Sequence, residues 1–242
     1  MSTLFDKLRQ YGVVRTLQFA CSEVVHQWYY QRFFESYSQN QEDLLLDKLL
    51  NYKKRGLYVD VGAYDPYRFS NTMRFYRRGW RGMNIEPNRQ YWQRFLSVRD
   101  GDINLNAGVG EKRGALTFYA MDPPTLSTFQ KEQVAAYRKQ GFRLAETVAV
   151  PVYTLKEIFR KHLGNKTIDF MSIDVEGMEM QVLRSNDWEA YRPRYLCIES
   201  VDFPKTKNNG RTNGNIEAFL QTVKYKKVYD NNLNSFYKDI RE

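Results

Sequence analysis

A short apolar run closed by glycine, Gly56-Leu-Tyr-Val-Asp-Val-Gly62, sets the narrowest limit on how this chain can fold. It is too short for a helix, and its mostly apolar positions leave no face for water. It therefore predicts a strand buried on both sides in a parallel sheet, entering a tight turn at the glycine. Parallel neighbours need crossovers of a dozen or more residues. The downstream sequence provides them. Asp65-Pro66 reads as an N-cap and first helical residue of a helix that stops at Gly79. A second strand at Gly82 to Ile85, a helix at Asn88 to Val98 and a third strand at Ile103 to Val109 follow. This is the first half of a doubly wound α/β sheet with right-handed crossovers.

The pattern extends both ways. Upstream, Gln41 to Leu50 is apolar at helical intervals, with Gly56 as its stop. Downstream come an extra strand at Gly114 to Tyr119, a loop at Met121 to Ser127, a helix at Gln130 to Lys139 and a strand at Glu146 to Tyr153. Thr154 N-caps a helix at Leu155 to Leu163, with Glu157 at capping-box spacing. A fourth main strand at Ile168 to Val175, a helix at Gly177 to Arg184 and a fifth strand at Arg194 to Glu199 complete the core. The polar stretch Lys205 to Asn215 reads as a mobile loop and Ile216 to Val223 as a helix. Strands at Tyr225 to Tyr229 and Ser235 to Lys238 are too close to be anything but an antiparallel hairpin. The expected architecture is a Rossmann-like, mostly parallel doubly wound sheet with a C-terminal antiparallel hairpin. It spans residues 38–242, behind an amphipathic helical extension at residues 1–37.

At 242 residues, with 42% hydrophobic and 27% charged residues, the chain suits one globular domain and excludes disordered and fibrous classes. Lysine and arginine outnumber acids 37 to 28, which favours anionic partners on encounter. The arginines between Arg68 and Arg113 are scattered, as on a solvated face. A nucleic-acid-binding module on a degenerate nucleotide fold stays as the second reading. Cys21 and Cys197 form no paired motif, and His26 and His162 lack metal-ligand spacing, so a disulfide framework and a zinc site are set aside. No apolar stretch is long enough to span a membrane and no signal-peptide core is present, so a cytoplasmic protein is expected. Leu4, Phe5, Leu8, Tyr11, Val14 and Leu17 recur at helical spacing among Lys7, Arg9 and Arg15. That helix can pack on its own domain, on a partner subunit of a homo-oligomer, or peripherally on a membrane.

Acids recur where the strands end. Asp60, Gly62 and Ala63 close the first strand, where small residues let a ligand approach the backbone and a helix start can meet a carboxylate. The loop lacks the G-x-G-x-x-G spacing of a pyrophosphate site, which sets back a nicotinamide-dependent oxidoreductase and favours an amino-acid-bearing nucleoside such as S-adenosylmethionine. Glu86 ends the second strand at the spacing expected of an acid that grips ribose hydroxyls. Asp174 and Glu176 close the fourth strand and Glu199 the fifth, in the crevice where open α/β sheets bind ligands. Such a cluster can act as a base, bind hydroxyls, or hold a Mg or Mn ion through Asp174 and Glu199. Glu176 has a plainer alternative as a cap of the following helix.

Together, Ser38-Gln-Asn-Gln-Glu-Asp43, Tyr58-Val-Asp-Val-Gly-Ala63 with Ser70-Asn-Thr72, Gly79-Trp-Arg-Gly82 leading to Ile85-Glu-Pro-Asn88, and Ile168-Asp-Phe-Met-Ser-Ile-Asp-Val-Glu-Gly177 resemble the FkbM-type methyltransferases. The tail from Tyr229-Asp230 to Asn234-Ser-Phe-Tyr237 is similar to that family's last hairpin. The resemblance implies a class I methyltransferase fold that uses S-adenosyl-L-methionine to methylate hydroxyls of sugars, glycans or other small molecules. It implies a cofactor site at Asp60, Gly62 and Ala63, ribose recognition by Glu86, contacts near the methionine end from Gln39, Ser70 and Asn71, and Asn106 near the adenine. The catalytic, acceptor-facing residues it implies are Asp174, Glu176 and Glu199, with Ser127 nearby.

Overall fold

The computed structural model of the protein describes residue 25, residues 28–200 and residues 214–241. The first part of the predicted N-terminal helix, Cys21, His26 and most of the Lys205 to Asn215 loop lie outside the described residues. After a helical stretch at residues 28–34 come α1 (Glu42–Leu49), β1 (Leu57–Val61), α2 (Met73–Arg77), β2 (Arg81–Ile85), α3 (Arg89–Val98) and β3 (Ile103–Leu105). Next are β4 (Gly108–Val109), β5 (Gly114–Asp122), a 3-10 turn (Pro124–Leu126), α4 (Lys131–Lys139), β6 (Arg143–Tyr153) and α5 (Leu155–His162). The chain continues through β7 (Phe170–Ile173), α6 (Glu179–Arg184), β8 (Tyr195–Glu199), α7 (Gly214–Thr222), β9 (Tyr225–Asp230) and β10 (Asn234–Asp239).

Seven strands form one sheet in the order β3-β2-β1-β7-β8-β10-β9. The first five run parallel and β10 is antiparallel to both of its neighbours. The apolar run is thus central, as its burial requires. Alternation sorts its side chains to two cores. Val59, Val61, Met171, Ile173, Leu196 and Ile198 face Leu155 and Phe159 of α5, Val182 of α6 and Leu220 of α7. On the other face Tyr58, Phe170, Cys197 and Phe236 pack on Leu46 of α1, Phe75 of α2 and Trp80. Each such side chain contributes roughly 1.5–3 kcal/mol on burial, so the central strands anchor the fold. On this second face the polar residues Asn84, Asp60 and Ser172 stand side by side in register on β2, β1 and β7.

The predicted third strand divides in two. Asn106 interrupts it, donating from Nδ2 to the carbonyls of Glu86 and Pro87 at 2.9 Å each, and β4 leaves the main sheet to pair with β6. With β5 antiparallel along β6, this makes a small second sheet, β4-β6-β5. The helix expected at Asp65-Pro66 begins later, behind Thr72. Asp65 instead accepts the Tyr67 and Arg68 N–H groups at 2.9 and 3.0 Å, closing a turn. Gly56 does not stop α1, which ends at Leu50 and is followed by Asn51 and Tyr52 in the left-handed region. Gly56 is small because a Cβ there would overlap the Trp80 ring and the Asp169 carboxylate. The Thr154 capping box with Glu157 is present as expected.

Arg99, at the end of α3, is fully buried and holds the loop that follows β1. Its guanidinium donates to the Pro66 carbonyl at 2.7 Å, Ser70 Oγ at 2.9 Å, Tyr58 Oη at 3.0 Å and Thr72 Oγ1 at 3.3 Å, with Asp102 at 3.8 Å. Removing the cation leaves Asp102 buried without a countercharge, an effect of about 3–5 kcal/mol. Arg99→Met is therefore expected to lower unfolding free energy by about that amount in urea titration. A change under about 1 kcal/mol would show that the network carries no weight.

Candidate functional site

The β1 turn works because Gly62 lacks a side chain. Its φ is 81°, and a Cβ would overlap the backbone carbonyl of Asp174, so β1 and β7 meet here backbone to backbone. Gly62 and Ala63 N–H groups donate to the Ile85 carbonyl at 3.0 and 3.2 Å, drawing the turn against the end of β2. There the Glu86 carboxylate accepts the Tyr64 N–H through one oxygen and the Asn88 N–H through the other, at 2.7 Å each. Glu86 is fixed in orientation, and burial, with Asp60 and Asp174 adding repulsion, pushes its carboxyl up from 4.5 to about 8.

Asp60 accepts the Thr72 hydroxyl at 2.7 Å, which ties it through Thr72 to Arg99. Burial lifts its carboxyl to about 6. Asn71 Nδ2 donates to Ser172 Oγ at 2.9 Å and bridges this loop to β7. Asp60, Gly62, Ala63, Asn71 and Glu86 all line one cavity, joined by Gln39 from the segment before α1. Ser70 and Asn106 do not line it. The Ser70 hydroxyl is held by Arg99 and accepts the Met73 N–H, and the Asn106 amide staples the end of β2. Ala107 supplies the wall beside Asn106.

The same cavity is lined by Asp174, Glu176, Glu199 and Ser127. Oxygens of the three acids lie within 4.8 Å of one another. Asp174 opens to the cavity, yet protein surrounds it closely. Desolvation, reinforced by Glu179, raises its carboxyl to about 7, and Glu176 and Glu199 are held well above the usual range by burial and by Asp174. Glu176 does not cap α6. It sits in the left-handed region at φ 50°, and Glu179 instead accepts the Val175 and Gly177 N–H groups at 3.2 and 3.1 Å. The Glu176 carboxylate is left for the cavity.

Several aromatic residues of the cavity gave no sequence signal. Tyr64 and Tyr91 stack beside Glu86 with ring centroids 4.6 Å apart. Phe118 from β5 and Phe129, centroids 5.1 Å apart, form the wall contributed by the small sheet. Tyr137 of α4 does not line the cavity; it is buried, and burial followed by the charges of Glu176 and Glu199 pushes its hydroxyl up. Glu42, in the Ser38–Asp43 motif, accepts Asn231 and Asn234 amides at 2.9 and 3.0 Å, so this motif fastens the C-terminal hairpin to the cavity rim.

A family model described as the methyltransferase FkbM domain matches residues 60–227. No curated protein matches the sequence. Among solved structures the chain is similar to the methyltransferase FkbM from Methylobacillus flagellatus KT, at 13% identity and a TM-score of 0.45, over 76% of this chain and 44% of that one. It is similar to the METTL16 MTase domain at 8% identity and a TM-score of 0.45, over 81% and 65% of the respective chains. An O-methyltransferase from Bacillus cereus in complex with SAH aligns at 13% identity and a TM-score of 0.40, over 98% and 89%. The chain thus spans less than half the length of the first structure and just under two thirds of the second.

Raised carboxyl values have a sign in stability. Between the ordinary value of 4.5 and about 8, folded Glu86 binds a proton more tightly than the unfolded chain does, so its contribution declines as pH rises through that window. Asp60 and Asp174 act the same way below about 6 and about 7. In the ligand-free protein the melting temperature is expected to fall from about pH 5 to about pH 8, and less steeply in Glu86→Gln. An equally steep fall in that variant would rule Glu86 out as a source.

Proposed function

This chain belongs to the FkbM methyltransferase family, and on that premise we propose that it transfers the methyl group of S-adenosylmethionine to a hydroxyl oxygen of a sugar, glycan or similar small acceptor. The observation that carries the reading is a single cavity lined by Gly62 and Glu86 at the ends of β1 and β2 and by Asp174, Glu176 and Glu199 at the ends of β7 and β8. The residues fit the cofactor. Glu86 lines the cavity and is held by backbone N–H groups while keeping lone pairs for ribose hydroxyls. The bound cofactor supplies a methyl already activated by its sulfonium.

The chain's own task is then alignment, exclusion of water and removal of the hydroxyl proton. Asp174 and Glu199 close adjacent parallel strands, and one of them takes that proton as general base, with Glu176 beside them to accept a second hydroxyl. Phe118 and Phe129 add apolar rings to the lining of the cavity that also holds the acids, a combination that suits a sugar ring with its C–H face and hydroxyl rim. The donor set of Asp174, Glu176 and Glu199 is all oxygen, of the kind Mg2+ or Mn2+ takes. These three would hold such an ion, which when bound polarises the acceptor hydroxyl.

Asp174→Ala is expected to reduce methyl transfer by about 10²–10⁴-fold, scored by mass spectrometry across sugars, nucleotide sugars and glycans, while S-adenosylhomocysteine affinity in calorimetry stays within about threefold. Retained turnover would remove Asp174 from the mechanism. Separately, EDTA is expected to abolish transfer, and Mg2+ or Mn2+ to restore it. Full activity in EDTA would assign proton removal to the carboxylates alone.

A further inference from the structure

The stretch at residues 28–34 is fastened firmly at its C-terminal end. Ser36 Oγ, Ser38 Oγ and the Tyr37 N–H donate to the buried Asp43 carboxylate at 2.6, 2.8 and 2.7 Å. Arg74 donates to the Phe34 and Glu35 carbonyls at 2.6 and 3.3 Å. Yet its rings face outward. Trp28 and Phe33 are 61% exposed, Tyr29 45% and Phe34 47%. They form one patch, with Tyr29 centred 5.0 Å from Phe33 and 5.9 Å from Phe34, and Trp28 6.2 Å from Phe33. A contiguous exposed aromatic surface on an anchored segment marks a place where something else sits.

Charge and area identify the occupant. Arg32 is exposed on the same stretch, its guanidinium 6.0 Å over the Phe33 ring. Arg68 is exposed at the adjoining cleft, whose walls include Tyr30, Gln31 and Tyr67, and exposed Arg77 reaches the Tyr37 hydroxyl. Glu35 is the acid on this stretch, against a formal net charge of +9 for the whole chain. Four rings about half exposed present on the order of 400 Å². That is about half of the ~800 Å² per partner that a stable protein interface takes, so a second copy of the chain is a poor fit. Tryptophan, tyrosine and phenylalanine beside arginine suit the boundary between anionic headgroups and acyl chains. No helix among the described residues is long and apolar enough to cross a membrane.

We infer that this aromatic and arginine-bearing face docks the protein on an anionic phospholipid surface. The inference is independent of the acceptor. Its consequence for the enzyme is positional, because Gln39 and Phe69 of the catalytic cavity neighbour Ser38, Gln41 and Arg68 of the cleft beside the docking face.

The full chain is sedimented with vesicles of phosphatidylcholine alone and of phosphatidylcholine mixed with phosphatidylserine. The expected result is binding to the mixed vesicles, weakened about 30-fold or more in Trp28→Ser/Phe33→Ser and measurably in Arg32→Glu. Melting temperature and S-adenosylhomocysteine affinity should be unchanged, because these side chains are exposed. Failure to sediment with either vesicle, or equal binding by the double variant, would overturn the inference. So would a dimer in light scattering that the double variant dissociates, since the face would then belong to a second copy.

Discussion

Parallel strands deliver their carboxyl ends to one edge of a sheet, and here four of those ends carry an acid. Asp60 lies near the end of β1, Glu86 just past β2, Asp174 just past β7 and Glu199 at the end of β8. Desolvation raises all four, and neighbouring carboxylates add to it, Asp102 at Asp60 and acids of the same edge at Glu86, Asp174 and Glu199. Among the described residues Arg99 is the buried Lys or Arg, and it reaches Asp60 through Thr72. These carboxyl groups therefore hold their protons to higher pH than free carboxyls do. A ligand bearing positive charge and hydroxyl groups would relieve both the desolvation and the repulsion, so this edge is electrostatically matched to a cationic, hydroxyl-bearing ligand.

Much of this edge was legible in the sequence because burial on both faces erases polar alternation and leaves short apolar runs that end in acids. Asp60, Glu86, Asp174 and Glu199 were readable on that ground alone. The capping box at Thr154 was readable because its chemistry is local. The misreadings share a cause, since each turned on a partner distant in sequence. Gly56 looks like a helix stop until Trp80 and Asp169 are seen to fill its space. Asp65-Pro66 has the chemistry of a helix start, but Arg94 pairs with Asp65 and the chain turns instead. Asn106 splits a strand by bonding carbonyls some twenty residues earlier. Arg99 carries no motif, and its role follows from where α3 ends against the β1 loop.

The second sheet determines what the acid cluster can meet. Thr128 Oγ1 donates to the Glu176 carbonyl at 3.0 Å, and the Gln130 amide donates to the Gly177 carbonyl. Gln130 and Gln133 also occupy the space that a side chain at position 177 would need. The start of α4 is thus clamped to the turn bearing Asp174 and Glu176, and the Phe118–Phe129 wall is held at a set distance from the acids rather than hinged over them. The cradle at Gly62 and Glu86 uses main-chain contacts within the large sheet, whereas the opposing wall is built from side chains of β5 and the segment before α4. Phe118 lies on β5 and Phe129 in the segment before α4, whereas Asp174 and Glu199 end strands of the large sheet, so changes along β5 or in the Pro123–Phe129 segment can reshape one wall of the cavity while the positions of these two acids stay set by the large sheet.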